Sequence, residues 1–422
     1  MPVMSYEFLQ YDSISVFHPT GVIRAKIELP GSKSESNRLL ILKALHNREL
    51  DIMGLSESDD TVLLQKILDN DLKEGVVDCH MAGTSYRFLL AYFASMPGCD
   101  VLLTGAPRML ERPIGPLVAA LRNLGADITY MGKDGYPPVR IQGKDLTEHY
   151  VEIDGSTSSQ FISALMLIGT KMKSGLHIRI TGRQVSVPYI YLTASTLQRL
   201  GFHVSIQLPD ITILPATIKV SRVRVEPDWS AASYWYLVAL LSKEAEIFLP
   251  GLRIPSMQGD SALRGYFDML GVETVYLGSG IRLFRNSMRE INSEALFLNF
   301  IDTPDIAQTI AVALAASGIK GYLTGLNTLR IKETNRIEAL VNELSKFSVQ
   351  CEFGNDCIRL NGGFTFAENT LINTYGDHRM AMAFAPLGIF GKIFIEHPGV
   401  VSKSYPNFWS DLIHAGFLIQ ET

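Results

Sequence analysis

Short apolar or alternating runs such as VRIQG and LHIRITG interleave along the chain with longer stretches whose apolar positions recur at helical spacing. The two periods predict strands alternating with helices, the pattern of an α/β protein. Six helical stretches open on a small polar cluster: SKSESNRLLILKAL from Ser32, AGTSYRFLLAYFA from Ala82, GSTSSQFISALMLIG from Gly155, DWSAASYWYLVALL from Asp228, DTPDIAQTIAVALAA from Asp302 and GDHRMAMAFAPLGIF from Gly376. After the first pair, successive clusters are about seventy residues apart, which suggests one unit of strands and helices used repeatedly.

Several of these openings carry helix-start chemistry. Ser32 with Glu35 and Thr157 with Gln160 fit the capping box, and Thr303 followed by Pro304 fits an N-cap with proline at the first helical position. The faces that follow, for example Phe161, Ala164, Leu165 and Ile168, are apolar nearly all round, so these helices are expected inside their domains with only the starts exposed. Two more helices lack the serine cluster. RMLERPIGPLVAALRNLGADI puts Arg112 directly before Pro113 and runs through Ile114, Leu117, Val118, Leu121 and Leu124 to a stop at Gly125. LRIKETNRIEALVNELSKF puts Arg330, Lys332 and Arg336 at the start of a helix carrying Ile337, Leu340, Val341 and Leu344 on one face.

Cations therefore collect at helix starts: Lys33, Arg38, Arg87, Arg112, Lys332, Arg336, His378 and Arg379. A helix start already carries roughly half a positive charge, so a cation there is locally unfavourable unless an anion lands on it. Any one of these side chains is ordinarily a solvated group or a surface ion pair. As a set, if the starts converge, they describe a site for a polyanion, each charge-assisted bond contributing about 1.5 to 3 kcal/mol. Lys and Arg total 38 against 43 for Asp and Glu, so the positive site must be local and no general attraction for nucleic acid or membrane is expected. At 422 residues the chain predicts two or more domains. Cys79, Cys99, Cys351 and Cys357 show no metal-ligand spacing and read as buried free thiols. MPVMSYEFLQYDSIS has no secretory pattern, and no apolar run reaches the roughly 18 to 20 residues that span a bilayer, so a cytoplasmic protein is expected.

Two carboxylates stand among the cations, Asp305 in DTPDIAQT and Glu333 in RIKETNR. Each has an ordinary reading, dipole stabilisation for Asp305 and a local ion pair for Glu333. Facing a bound anionic pair, they are instead candidates to take a proton from a hydroxyl or deliver one to carbon. GSKS is not a nucleotide P-loop, because Ser32 separates Gly31 from Lys33. GDHRMA lacks a second histidine at ligand spacing, so no metal is expected there. Ser158, Ser159 and Gln160 are uncharged donors suited to orienting a phosphate or hydroxyl; no nucleophile-elbow pattern surrounds them.

LPGSKSESNR, AGTSYR, RMLERPIG, GSTSSQF, RIKETNR and GDHRMAM, in this order over nearly the whole chain, resemble the EPSP synthases, the 3-phosphoshikimate 1-carboxyvinyltransferases of the shikimate pathway. The resemblance implies the two-domain enolpyruvyl transferase fold, each domain three copies of a βαβαββ unit around buried helices, an inverse α/β barrel-like arrangement. It places an N-terminal lobe at 31-227, on the shikimate 3-phosphate side, and a C-terminal lobe at 1-30 plus 228-422, with the active site in the cleft between them. It implies transfer of the enolpyruvyl group of phosphoenolpyruvate to the 5-hydroxyl of shikimate 3-phosphate, without metal or organic cofactor, by a cytoplasmic monomer that induced closure completes. By the same resemblance Lys33, Ser34, Arg38, Ser158, Ser159, Gln160, Ser186, Tyr189, Asp305 and Lys332 hold shikimate 3-phosphate. Lys33, Gly83, Arg87, Arg112, Gln160, Arg336, Arg379 and Lys403 serve phosphoenolpyruvate. Asp305 is the implied base, and Glu333, with Lys33, the implied proton donor.

Met81 and Thr328 stand where the family usually has Asn, and Gly83 implies sensitivity to glyphosate. Two alternatives remain open at this point. One is a UDP-N-acetylglucosamine enolpyruvyl transferase, whose family uses a loop cysteine that RMLERPIG lacks. The other is a catalytically silent anion-binding relative, which would be expected to lose Asp305 or Glu333.

Overall fold

The computed structural model describes residues 10–46, 49–285 and 295–422. The chain divides into two compact units, one running from Gly31 to Val225 and the other combining the chain up to Pro30 with Glu226–Thr422. Of the segment 1–30, residues 1–9 lie outside those described.

In the unit Gly31–Val225 one sheet pairs Glu74–Asp78 with Asp100–Thr104 in parallel, Val76 opposite Leu102, and then adds Val139–Gln142 and Asp127–Tyr130 antiparallel. Parallel neighbours need a crossover, and the buried helix Gly83–Ala94 supplies it; Gly115–Asn123 leads on to the hairpin. The same order returns in Tyr150–Asp154, helix Ser159–Gly169, Leu176–Thr181, helix Val187–Leu200, His203–Gln207 and Asp210–Leu214. A third sheet is reduced to a parallel pair, Arg222–Arg224 beside Asp51–Met53, with helices Lys33–His46 and Asp59–Asp69. The expected three full βαβαββ copies are thus two and a shortened one. The reason is length: after Asp69 the chain enters the next sheet at Glu74, too soon to fit a hairpin.

The second unit carries three four-stranded sheets of the same kind. Val22–Lys26 lies parallel to Glu244–Pro250, Leu296–Asn299 to Gly321–Thr324, and Leu371–Ile372 to Ile393–Glu396. In the last sheet a strand of the final pair, Ser13–Phe17, comes from the start of the chain.

Each unit has a trio of helices at its centre that pack on one another: Lys33–His46, Gly83–Ala94 and Ser159–Gly169 in one, Trp229–Leu241, Ala307–Ala316 and His378–Phe384 in the other. Their sequences are apolar nearly all round, and they are buried nearly all round: every residue of Trp229–Leu241 except Ser230, and every residue of His378–Phe384. Some polar groups inside the trios are matched locally, as where the Ser233 and Thr309 hydroxyls meet at 3.2 Å. All four cysteines are free thiols; Cys79 and Cys99 are buried as expected, but Cys351 and Cys357 lie near the sheet surface and are half-buried.

Candidate functional site

The cationic residues of the unit Gly31–Val225 gather at the starts of its central helices. Lys33 opens its helix with Nζ 3.1 Å from Oδ2 of Asp60, at the start of Asp59–Asp69. The Asp60 carbonyl accepts the Ser85 hydroxyl at 2.9 Å, and Gln160 Nε2 donates to Thr84 Oγ1 at 2.8 Å. These bonds link all three central starts. Ser158 is the N-cap of Ser159–Gly169 and accepts from Gln160 N at 3.2 Å. The cap is therefore one residue later than the expected Thr157, because the Gln160 side chain turns to Thr84 instead of closing a capping box.

Gly83 sits at the first helical position beside two arginines. Arg87 Nη1 donates to the Gly83 carbonyl at 2.8 Å, and its guanidinium lies 5.4 Å from the centre of the Phe161 ring. A Cβ on Gly83 would stand 2.7 Å from Arg112 Cζ and 2.8 Å from Arg87 Nη1, closer than carbon and nitrogen approach. The missing side chain lets both guanidiniums close on the helix start. Arg112 is buried, and its Nε and Nη1 have no hydrogen-bond partner among the described residues. Such donors are costly unless an acceptor arrives, which suits an anion. The helix after Arg112 begins at Gly115 with Ile114 as its cap residue.

Arg38 is used differently from its neighbours. It is 1% exposed, and its guanidinium donates to Thr193 Oγ1 at 2.7 Å, the Ser34 carbonyl at 2.7 Å, Ser163 Oγ at 3.0 Å and the Tyr189 carbonyl at 3.4 Å. Burial lowers its pKa to about 10 against the opposing pull of Tyr189 and Glu35. It ties Lys33–His46 to Ser159–Gly169 and Val187–Leu200. Ser186, left-handed at φ 55°, precedes the last of these helices and accepts Tyr189 N on its carbonyl at 3.1 Å. Ser159 and Ser186 are buried and Ser34 half-buried at these same starts.

In the second unit one ion-pair network holds Asp305, Lys332, Glu333, Arg336, Arg379 and Lys403. Asp305 lies in the turn Pro304–Ile306, with Arg379 Nη2 at 3.2 Å, Arg336 Nη1 at 3.2 Å and Lys332 Nζ at 3.4 Å. Burial works to raise its pKa, but Arg379, Lys332 and Arg336 outweigh burial and hold it well below the usual carboxylate range. Glu333 meets Arg336 Nη2 at 2.8 Å and Lys403 Nζ at 3.3 Å. Asp377 takes Arg336 Nε at 2.6 Å and also caps His378–Phe384 by accepting Arg379 N at 2.9 Å, so one buried carboxylate orients both arginines. Burial disfavours the Arg336 charge, yet Asp377, Glu333 and Asp305 leave its pKa above the ordinary value. Arg379 Nη1 donates to the Asp305 carbonyl at 2.8 Å and approaches the Tyr234 hydroxyl at 3.5 Å, a phenol that burial pushes up to about 12. Pro304 starts the turn as expected, but Thr303 makes no side-chain cap, and its buried hydroxyl has no hydrogen-bond partner among the described residues.

Asp60, Asp377 and Asp260 belong to these clusters and were missed by pattern reading. Asp377, in GDHR, carried a signal, an acid at a helix opening whose neighbours are cations; Asp60, in SESDDT, offered only an acid at a helix opening, and Asp260, in MQGD, carried none. Among the described residues no group of three or more His, Cys, Asp or Glu is placed to hold a metal, and no helix is long and apolar enough to cross a membrane.

Two α/β units with cations and paired carboxylates at buried helix starts define a protein class made to handle small polyanions. A family model described as EPSP synthase (3-phosphoshikimate 1-carboxyvinyltransferase) matches residues 65–412, and the chain belongs to this family. It is 46% identical over 402 residues to a 3-phosphoshikimate 1-carboxyvinyltransferase of Bacteroides fragilis, covering 94% of this chain and 97% of the relative. It is 34% identical over 410 residues to one of Neisseria meningitidis serogroup B, covering 91% and 94%. The fold is similar to that of an EPSP synthase from Acinetobacter baumannii, with a TM-score of 0.75 at 21% identity over 97% of this chain and 99% of that one.

Proposed function

We infer that the chain transfers the enolpyruvyl group of phosphoenolpyruvate to the 5-hydroxyl of shikimate 3-phosphate, releasing phosphate, in aromatic amino acid biosynthesis. Family membership supports the reaction, and the observation that carries the residue roles is the single network joining Asp305 and Glu333 to four cations. A silent anion binder has no need of both carboxylates in such contact. Arg112 stands in a segment without cysteine, which disfavours the nucleotide-sugar reading.

In the proposed scheme Glu333, assisted by Lys33, protonates the methylene carbon of the donor. The substrate hydroxyl adds to the adjacent carbon while Asp305 takes its proton, giving a tetrahedral intermediate. The carbon–oxygen bond to phosphate then breaks, the departing phosphate takes up the proton held on Asp305, a methyl proton returns to Glu333, and the alkene is restored. No electrons are gained or lost. Asp305 is a poor proton carrier while cations surround it; anionic reactants compete for Arg379, Lys332 and Arg336, loosen those ion pairs and make its carboxyl readier to hold a proton. Acid and base groups each supply about a hundred- to ten-thousandfold, and alignment with fixed charge supplies the rest.

Lys33, Ser34, Arg38, Ser158, Ser159, Gln160, Ser186, Tyr189, Asp305 and Lys332 are proposed to hold shikimate 3-phosphate, and Lys33, Gly83, Arg87, Arg112, Gln160, Arg336, Arg379 and Lys403 to hold phosphoenolpyruvate. Both sets serve one reactant pair, in a cytoplasmic monomer. Phosphate release measured with shikimate 3-phosphate against UDP-N-acetylglucosamine tests the reading: turnover with the first alone is expected, and turnover with the second alone, or with neither, overturns it. Rates are expected to survive exhaustive dialysis against EDTA and to fall with added glyphosate.

A further inference from the structure

Beside the Asp305–Arg379 ion pair lies a carboxyl that the scheme above does not use. Asp260 is 2% exposed and sits in the short turn Gly259–Ala262 ahead of helix Leu263–Met269. Its Oδ2 accepts the Ser230 hydroxyl, while Oδ1 is buried with no hydrogen-bond partner among the described residues. The charged groups that face it are Asp305 and Arg379, with Asp228 on the same helix start as Ser230. Arg264, on the adjoining helix, turns its Nε to the Ser261 carbonyl at 3.4 Å. Arg379 already has the Asp305 carboxylate at 3.2 Å. A second carboxylate with an unsatisfied oxygen would be costly there, and a neutral acid costs far less.

Resting on the enolpyruvyl-transfer reading, we propose that Asp260 is a positioning residue: kept as a neutral acid beside Asp305 and Arg379, it leaves Arg379 available to the anionic donor, and a charge on it would compete for that arginine and weaken phosphoenolpyruvate binding. Burial, followed by the charge on Asp305, pushes its pKa up to about 7, so the neutral form prevails below neutrality and the competing charge appears above it. The Ser230 hydroxyl acts the other way, favouring the charged form.

The test is the pH dependence of KM for phosphoenolpyruvate, from pH 5.5 to 8.5 at saturating shikimate 3-phosphate, in the wild type and in Asp260→Asn. The ratio of the two KM values cancels the ionisation of the substrate itself. It is expected to rise about five- to tenfold across the range, the change carried by KM and not by kcat. A ratio independent of pH overturns the proposal, since a purely structural role for Asp260 predicts a constant offset. Ser230→Ala gives a second reading should the asparagine variant not fold: it is expected to move the bend in the KM profile to higher pH, and an unmoved bend overturns the proposal. A wild type that turns over no shikimate 3-phosphate at any pH would sink the assigned reaction, a different failure.

Discussion

Single residues decide whether the anion sites work, and Gly83 does so by having no side chain. A methyl group there meets the Arg112 and Arg87 guanidiniums, whose ends are flexible enough to yield without unfolding the helix start. Gly83→Ala is therefore expected to raise KM for phosphoenolpyruvate by about tenfold or more, one lost charge-assisted bond, with the melting temperature nearly unchanged. An unchanged KM would show that those two arginines are not at the donor phosphate. Asp305→Asn keeps the shape of the carboxylate and removes its proton affinity, so kcat should fall by about a hundred- to ten-thousandfold while shikimate 3-phosphate still binds, as equilibrium titration would report. Asp411 makes a prediction about stability. Burial raises its pKa to about 6 from 3.8, although Tyr405 donates to it at 2.7 Å. A folded-state value above the unfolded one gives stability that is complete below about pH 4 and lost as pH rises through 6. Asp411→Asn, which can still accept from Tyr405, should melt higher relative to wild type at pH 8 than at pH 4.5. Cations at helix starts could be read from the sequence, because charge and helix boundary are both local. That Arg38 spends its donors on Thr193, Ser163 and two carbonyls was not legible, because apart from the Ser34 carbonyl its acceptors lie far along the chain.

Helices carry the next level of organisation, and their ends do two kinds of work. Ser158 caps its helix by satisfying Gln160 N at the first turn. Asp377 caps His378–Phe384 and at the same time grips Arg336, which is itself buried. The two substitutions to alanine should therefore differ: Ser158→Ala is expected to cost about 1 kcal/mol, whereas Asp377→Ala, which takes one of three carboxylates from a buried guanidinium, should cost about 3 to 5 kcal/mol in denaturant titrations. Equal costs would mean that the Arg336 contact contributes nothing to folding. The apolar surround of the central helices was plain from composition alone, since a helix without a polar face has nowhere to lie but inside. Their exact starts were less so: Ser158 rather than Thr157 as a cap depends on where the Gln160 side chain finds its partner in the folded unit. The missing hairpin after Asp69 lay in the sequence as a matter of length, but the repeating clusters concealed it.

At the scale of the whole molecule, one unit is a single stretch, Gly31–Val225, inserted into another that is split by it. Each has its own core and its own three central helices. The insertion points are close together: Asp228 N donates to the Pro30 carbonyl at 2.9 Å, so the split unit holds its two ends side by side. Glu226 helps to fix that junction, accepting Trp229 Nε1 at 3.0 Å, Arg253 N at 3.0 Å and Ser256 Oγ at 2.8 Å. Replacing Gly31–Val225 by a short glycine-serine loop should therefore leave a cooperatively folding protein, because such a loop adds only a small closure entropy between ends already in contact. The excised stretch should fold as well. Circular dichroism with thermal melting of the two products checks both statements; a broad, non-cooperative melt of either would show that its core needs the other unit. Neither product is expected to release phosphate by itself, since Lys33 and Arg112 belong to one and Asp305, Glu333 and Arg379 to the other. Turnover by one product on its own would require all the chemistry to reside in a single unit and would break the proposed division of roles.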